Sequence, residues 1–241
     1  NYYSSKEEAV IAYENKELGM HAKIHVRMYR EIDGEMRSKT VETTVGRLIY
    51  NEGIPQDLGF VNRENPETAF EPELNFTVSK KNLGKIIEKC INKHGLSEAA
   101  VLLDYIKATG FKYSTTGAIT VSVDDVKVPP AKKDILAAAN EEVNNVLKQY
   151  KRGLITEEER YQSVINIWEK ATDKVTGAMK DNFDDLNPVY MMSQSGARGN
   201  INQLRQIAGM RGLMASTTGK TVEIPITSSF REGLDALEYF I

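Results

Sequence analysis

Residues 129–179 have the most regular pattern in the chain and read PPAKKDILAAANEEVNNVLKQYKRGLITEEERYQSVINIWEKATDKVTGAM. Apolar residues recur in this stretch at intervals of three and four, which is the spacing of one face of an α-helix. The first run comprises Ile135, Ala138, Ala139, Val143, Val146, Leu147 and Tyr150, and the second comprises Tyr161, Val164, Ile165, Trp168, Ala171, Val175 and Met179. Gly153 separates the runs, and Thr156 with Glu159 forms a capping box that starts the second. The pattern predicts an antiparallel helical hairpin about 30 Å long.

Shorter elements precede the hairpin. We expect a helix over residues 6–14, a strand over 24–28, a turn at Asp33-Gly34, a returning strand over 36–41, and a helix capped by Thr43 or Thr44 that ends at Gly53. Residues 62–77 contain two prolines and little periodicity, which indicates a surface loop. The patterns further predict helices over 79–94 and from Ser97 to Gly110, and a strand over 119–123. The fold class is therefore α+β, mostly helical, with small β elements in the first half.

Composition excludes several classes of protein. The chain has 241 residues, is 41% apolar and carries a net charge of −3, from 31 basic and 34 acidic residues. Its longest apolar run, Ala99–Leu103, is far shorter than the ~18 residues of a membrane span. Cys90 is the single cysteine and lies on an apolar helical stripe, so we expect a buried thiol and neither a disulfide nor a structural zinc site. These features indicate a soluble cytosolic protein.

The last section, residues 187–241, has a different character. No carboxylate occurs between Asp185 and Glu223, while Arg198, Arg205, Arg211 and Lys220 give this stretch a charge of +4. Glycines among arginines and amides suit the binding of phosphate or sugar oxygens. A helix-loop-helix with glycine caps is the alternative, and it would account for Gly209 to Gly219. The chain starts at Asn1 without Met and ends in an apolar helix-start pattern, so we expect it to be part of something larger.

No motif in the chain predicts a catalytic or metal centre. The acidic pair Asp124-Asp125 and the acidic cluster from Asp181 to Asp185 lack the alternating spacing that wraps a cation, so we interpret each as a turn or cap. The glycine patterns of nucleotide-binding loops and of the nucleophile elbow are absent from the sequence. We therefore assign no catalytic residue and no metal ligand.

Several strings resemble one family over nearly the whole chain. They are MMSQSGARGN at 191–200, QLRQIAGMRGLMA at 203–215, FREGL at 230–234 and EYFI at 238–241, with TTVGR at 43–47 and GLIT at 153–156. In this order they resemble the beta-prime (largest) subunit family of bacterial DNA-directed RNA polymerases. The resemblance implies three regions: residues 1–128 as a pore and funnel region around the secondary channel, 129–186 as the rim helical hairpin, and 187–241 as the bridge-helix support and the start of the bridge helix.

The resemblance also implies roles for particular residues. Arg198 matches an arginine near the incoming nucleotide. The bridge-helix support loop would contain Gly209, Met210, Arg211, Gly212 and Met214, and the bridge helix would begin over residues 230–241 with Arg231, Tyr239 and Phe240. The family's metal motif, Asn-Ala-Asp-Phe-Asp-Gly-Asp, is absent. The Mg²⁺ and Zn²⁺ of the whole subunit are thus expected outside these residues, and the chain alone is expected to be inactive.

The resemblance finally implies partners and a location. The partners would be the alpha, beta, omega and sigma subunits, DNA, RNA, nucleoside triphosphates, and elongation factors at the hairpin, with no membrane. The location would be the bacterial cytoplasm, on the nucleoid. A non-catalytic scaffold, with a protein on the hairpin and nucleic acid on the basic segment, is the alternative, but it would have no need of the long Gly-rich string.

Overall fold

The computed structural model describes residues 1–32 and 34–241, which form two compact units, Asn1–Ala118 and Ile119–Ile241. The first unit contains strands β1 (Tyr2–Tyr3), β2 (Lys23–Ile32) and β3 (Glu35–Thr44), and helices α1 (Lys6–Glu14), α2 (Val45–Glu52) and α3 (Lys80–Thr116). The second contains a 3₁₀ turn (Val123–Asp125) and helices α4 (Lys132–Lys151), α5 (Glu157–Asn182), α6 (Pro188–Ser195), α7 (Ile201–Ala208) and α8 (Ala236–Phe240). The α+β, mostly helical class is confirmed.

The first unit is built on a small mixed sheet. β2 and β3 pair antiparallel with Val26 opposite Val41, and the two-residue β1 adds parallel to β2. Ile24 and Val26 are fully buried against α1 and α2, as their alternation predicted. The predicted turn at Asp33-Gly34 falls partly on Asp33, which lies outside the described residues. Thr44 caps α2 and Gly53 follows its last turn, as predicted.

The long helix α3 confirms one predicted boundary and corrects another. Gly95 has φ +85°, so the helix is interrupted at the glycine that predicted its end. The second segment runs past Gly110 to Thr116, because a glycine within a helix costs only about 1 kcal/mol and does not by itself end it. Cys90 is buried as predicted, and burial raises the pKa of its thiol.

Two other expectations in this part of the chain were wrong. The predicted strand at 119–123 does not form. Ile119 and Val121 lie in irregular backbone, are each 53% exposed, and pair with no strand among the described residues. Residues 62–77 form the predicted loop, but part of this loop is buried and does not lie at the surface. Phe70 and Leu74 are buried, and the Glu73 carboxylate, fully buried, accepts from Arg63 at 2.7 Å. Asn51 anchors this loop through its side-chain bonds to the backbone of Leu74.

The second unit is built on the helical hairpin of α4 and α5. Thr156 and Glu159 form the predicted capping box, and Trp168 is 4% exposed in the seam with Ala139, Val164 and Ala171. The polar residues on the outer faces of the two helices predict a hairpin that projects into solvent. The structure differs, because residues of the last section lie along α5 and bury Thr172, Val175 and Met179. In the part of the chain that the structure describes, no helix is both long and apolar enough to cross a membrane.

Candidate functional site

Arg198 lies in a short, well-anchored loop between α6 and α7. Asn187 caps α6 by accepting from the backbone N–H groups of Val189 and Tyr190, at 3.1 and 3.2 Å. Asn200 caps α7 in the same way, accepting from Gln203 N at 3.0 Å. The backbone N–H of Arg198 donates to Met192 O at 3.3 Å, and its side chain is exposed. The loop therefore holds the backbone and presents a guanidinium to solvent.

Residues 209–226, which we name the support ribbon, double back on themselves after α7. The N–H and C=O groups of Gly212 and Ile226 bond to each other at 2.9 Å in both directions, and Val222 N donates to Met214 O at 2.8 Å. Gly212 has φ +88°, and a Cβ there would lie 3.2 Å from Arg205 Nη1 and 3.3 Å from Thr172 Oγ1. Glycine is required at this position both for the backbone conformation and for the close approach to α5 and α7.

The support ribbon packs on α5 through its apolar residues. Met210 is fully buried, with its sulfur 3.9 Å from Thr172 Oγ1, and Leu213 packs on the cluster around Trp168. Met214 is half-buried. The glycine-cap alternative is right for Gly209, which ends α7 with its N–H on Arg205 O at 2.7 Å. The ribbon is therefore part of the same packed body as the hairpin.

The four basic residues of this section do not share one environment. Arg198 and Lys220 are exposed, and Lys220 lies 4.4 Å above the Tyr161 ring. Arg205 and Arg211 are half-buried, and the Nε atom of each is buried without a hydrogen-bond partner among the described residues. Arg211 instead lies 5.4 Å from the centre of the Phe230 ring. The charge of +4 is thus divided between side chains that reach solvent and side chains partly withdrawn from it.

The helix α8 begins later than predicted. Glu238 accepts from Thr227 N at 2.9 Å, from Ser228 N at 3.1 Å and from Asp235 N at 3.2 Å, so it ties the first turn of α8 to the end of the ribbon. Burial acts to raise the pKa of Glu238, but these hydrogen bonds outweigh it and lower the pKa to about 2. Tyr239 and Phe240 lie in α8 and are exposed.

Arg231 lies before α8, which corrects the predicted helix start at residue 230. The turn around Ser229 and Glu232 occupies this place, because Glu232 accepts from both Ser229 N and Ser229 Oγ, at 2.9 and 2.8 Å. The Arg231 guanidinium donates to Asp124 at 3.2 Å. It therefore joins the turn to the 3₁₀ segment at the beginning of this unit.

Sequence reasoning missed a buried lysine at the base of the hairpin. Lys132 is only 4% exposed; its Nζ donates to Gly209 O at 2.8 Å and forms an ion pair with Glu232. Burial acts to raise the pKa of Glu232, while the bonds from Lys132 and Ser229 lower it on balance. A signal was present, since Lys132 lies three residues before Ile135 and so continues the apolar stripe of α4.

A second missed contact lies near the tip of the hairpin. Arg160 pairs with Glu157 and, at 2.8 Å, with Glu223 of the ribbon, and Tyr161 Oη donates to Thr221 O at 3.0 Å. The bond from Arg160 is the main reason that the pKa of Glu157 falls to about 2. Arg160 precedes Val164 by four residues and so also continues an apolar stripe. Hairpin and ribbon are thus joined at both ends.

The acidic residues do not fit a metal site. Asp125 accepts from Ser122 N at 2.6 Å and Asp184 from Leu186 N at 3.1 Å, so they form the cap and the turn that the sequence predicted. Within residues 1–32 and 34–241, no group of three or more His, Cys, Asp or Glu side chains is placed to hold a metal ion.

Comparisons with known proteins agree with the motifs. The family profile described as RNA polymerase Rpb1, domain 3, matches residues 1–126, more than half of the chain, and that of domain 4 matches residues 155–231. The chain is 56% identical over 239 residues to the DNA-directed RNA polymerase subunit beta' of Acetivibrio thermocellus, and 54% identical over 239 residues to that of Clostridium beijerinckii. It is 54% identical over 240 residues to the subunit of Thermoanaerobacter pseudethanolicus.

These matches cover 99% of this chain for the first two relatives and 100% for the third, but only 20% of each relative. The chain thus spans about one fifth of the length of the curated relatives it matches. The matched order, domain 3 followed by domain 4, confirms the family that the Gly/Arg-rich strings predicted. This chain belongs to the RNA polymerase Rpb1 family.

Proposed function

We propose that this chain is a structural part of the largest subunit of a DNA-directed RNA polymerase, in which it borders the channel through which nucleoside triphosphates enter. The observation that carries the proposal is the anchored loop of Arg198. This loop lies in a region of the chain matched by the Rpb1 domain 4 profile, and it presents an exposed guanidinium between Gly196, the C-cap of α6, and Asn200, the N-cap of α7. A guanidinium is suited to paired hydrogen bonds with phosphate oxygens.

In this proposal Arg198 binds the incoming triphosphate, and its positive charge helps to position the phosphate groups. Its role is electrostatic, because a positively charged group near the entry path raises the local concentration of an anionic substrate. The support ribbon would act differently. It would support α8 as the beginning of the bridge helix. Glu238 of α8 accepts from Thr227 N, directly after the ribbon, and Lys132 of the hairpin contacts both Gly209 O in the ribbon and Glu232 before α8.

The reaction of the assembled enzyme would be nucleotidyl transfer, in which the RNA 3′-hydroxyl attacks the triphosphate. Its Mg²⁺ and Zn²⁺ would be held outside the described residues, among which no three His, Cys, Asp or Glu side chains are placed to hold a metal ion. The alpha, beta, omega and sigma subunits, DNA and RNA would be partners in that assembly, and elongation factors would bind the hairpin. We place the assembly in the bacterial cytoplasm, on the nucleoid.

The test is the kinetics of Arg198→Ala in the assembled polymerase. We expect the apparent KM for nucleoside triphosphates to rise about 10- to 150-fold, because one charge-assisted contact contributes about 1.5–3 kcal/mol. Arg37→Ala is the matched control, since Arg37 is exposed on β3 and its partner is the neighbouring Glu35. An unchanged KM in Arg198→Ala at limiting nucleotide would contradict the proposal.

A further inference from the structure

Lys132 is a buried cation that joins three segments far apart in the chain. It is the first residue of α4, and its Nζ contacts residues 77 and 100 positions away. One acceptor is Gly209 O, where α7 ends and the support ribbon begins, and the other is the Glu232 carboxylate, before α8. An ammonium group is costly to take out of water unless its partners are well placed. The position of this lysine is therefore specified by both partners together.

Glu232 connects Lys132 to the turn that leads into α8. The same carboxylate oxygen that pairs with Lys132 also accepts from Ser229 N and Ser229 Oγ, and Ser229 is fully buried. The N–H groups of Phe230 and Arg231 donate to Gln206 O and Ile207 O, at 3.0 and 3.1 Å. The turn thus satisfies carbonyl groups in the last turn of α7, which otherwise have no helical partner.

Only residues 233–235 separate this turn from α8. Because this connection is so short, a displacement of the Ser229–Glu232 turn also displaces the start of α8. Tyr239 and Phe240 of α8 are exposed and, among the described residues, join neither of the apolar clusters of this unit. Apolar packing therefore does not hold α8 in place.

We propose that Lys132 is a positioning residue that, through Glu232, sets where α8 begins relative to the hairpin. Lys132 does not reach solvent and so does not meet the nucleotide. Its effect on the reaction, which rests on the proposed function of α8 as the start of the bridge helix, is on the rate of nucleotide addition. Arg198, by contrast, acts on nucleotide binding.

The test uses the assembled polymerase with Lys132→Met, Glu232→Gln and the double variant. Methionine is unbranched like lysine and one atom shorter, so it removes the ammonium group and keeps most of the buried chain. The glutamine change is nearly isosteric at a side chain that is 39% exposed. Lys133→Met is the matched control, because Lys133 is the exposed neighbour on the same helix. Two readouts are taken: amide hydrogen exchange of residues 236–240, and the maximal rate and KM of single-nucleotide addition.

We expect Lys132→Met to increase exchange at residues 236–240 about tenfold and to lower the maximal rate about tenfold, with the KM unchanged within about twofold. Glu232→Gln should have the same effects. The double variant should be no worse than either single one, because both changes break one pair. Lys133→Met should match the unaltered enzyme in both readouts.

Unchanged exchange in both single variants would overturn the inference, whatever the polymerase activity. Additive effects in the double variant would also overturn it, since Lys132 would then act through Gly209 or through packing alone. Faster exchange with an unchanged rate of addition would contradict the proposed function of α8 as the start of the bridge helix and would support the positioning by Lys132. If Lys132→Met failed to assemble, Glu232→Gln would carry the same test on its own.

Discussion

Gly212→Ala tests whether the support ribbon packs closely against α5 of the hairpin and against α7. Placing alanine at φ +88° costs about 1–2 kcal/mol in backbone conformation. Its Cβ would also lie 3.2 Å from Arg205 Nη1 and 3.3 Å from Thr172 Oγ1, and crowding of this kind in a packed site costs about 1–3 kcal/mol. We therefore expect the free energy of unfolding to fall by about 2–5 kcal/mol.

Gly219→Ala provides the matched control for this measurement. Gly219 has φ +82° in the same ribbon, but nothing lies within 4 Å of its Cβ position, so only the backbone cost of about 1–2 kcal/mol applies. Urea unfolding followed by fluorescence reports on this unit alone, because Trp168, the single tryptophan, is buried in it. Equal losses in the two variants would refute the close approach of the ribbon to α5 and α7.

Two further predictions concern the same unit. Trp168→Ala should lower the unfolding free energy of this unit by about 3–5 kcal/mol, because the change leaves a cavity at the centre of the hairpin seam. A melting temperature, followed by circular dichroism, that shifts by less than about a degree would contradict the pairing of α4 with α5. Since the pKa of Glu238 is about 2 when folded and 4.5 ordinarily, the unfolded chain binds this proton first, and stability should fall as the pH drops from about 4.5 towards 2. Glu238→Gln should weaken this dependence of stability on pH between about 4.5 and 2. If the variant and the unaltered protein lost stability identically over this range, the Glu238 carboxylate would not be what holds α8.

Local patterns predicted the regular parts of this fold. The periodicity of α5, its capping box and the cap at Thr44 depend on residues within one or two helical turns, so the sequence carries them directly. The strand predicted at 119–123 failed for the opposite reason. Alternation marks a strand only where a partner strand exists, and none lies beside Ile119 and Val121 in the described structure.

The candidate site was predictable in part. The Arg198 loop and Gly212 stood out as arginine and glycine in a stretch without carboxylates. The ion pairs of Lys132 and Arg160 did not, because their partners Glu232 and Glu223 lie 100 and 63 positions away. Their one local signal is a charged residue on an apolar stripe, which also occurs where a long side chain extends its charge into solvent.

The proposed role of Arg198 is tested by the distance between its guanidinium and a bound nucleoside triphosphate in a structure of the assembled polymerase. We expect a guanidinium nitrogen to lie within about 4 Å of a phosphate oxygen during nucleotide entry or loading. A separation of more than about 10 Å in every nucleotide-bound state, beyond the reach of a screened charge, would contradict it.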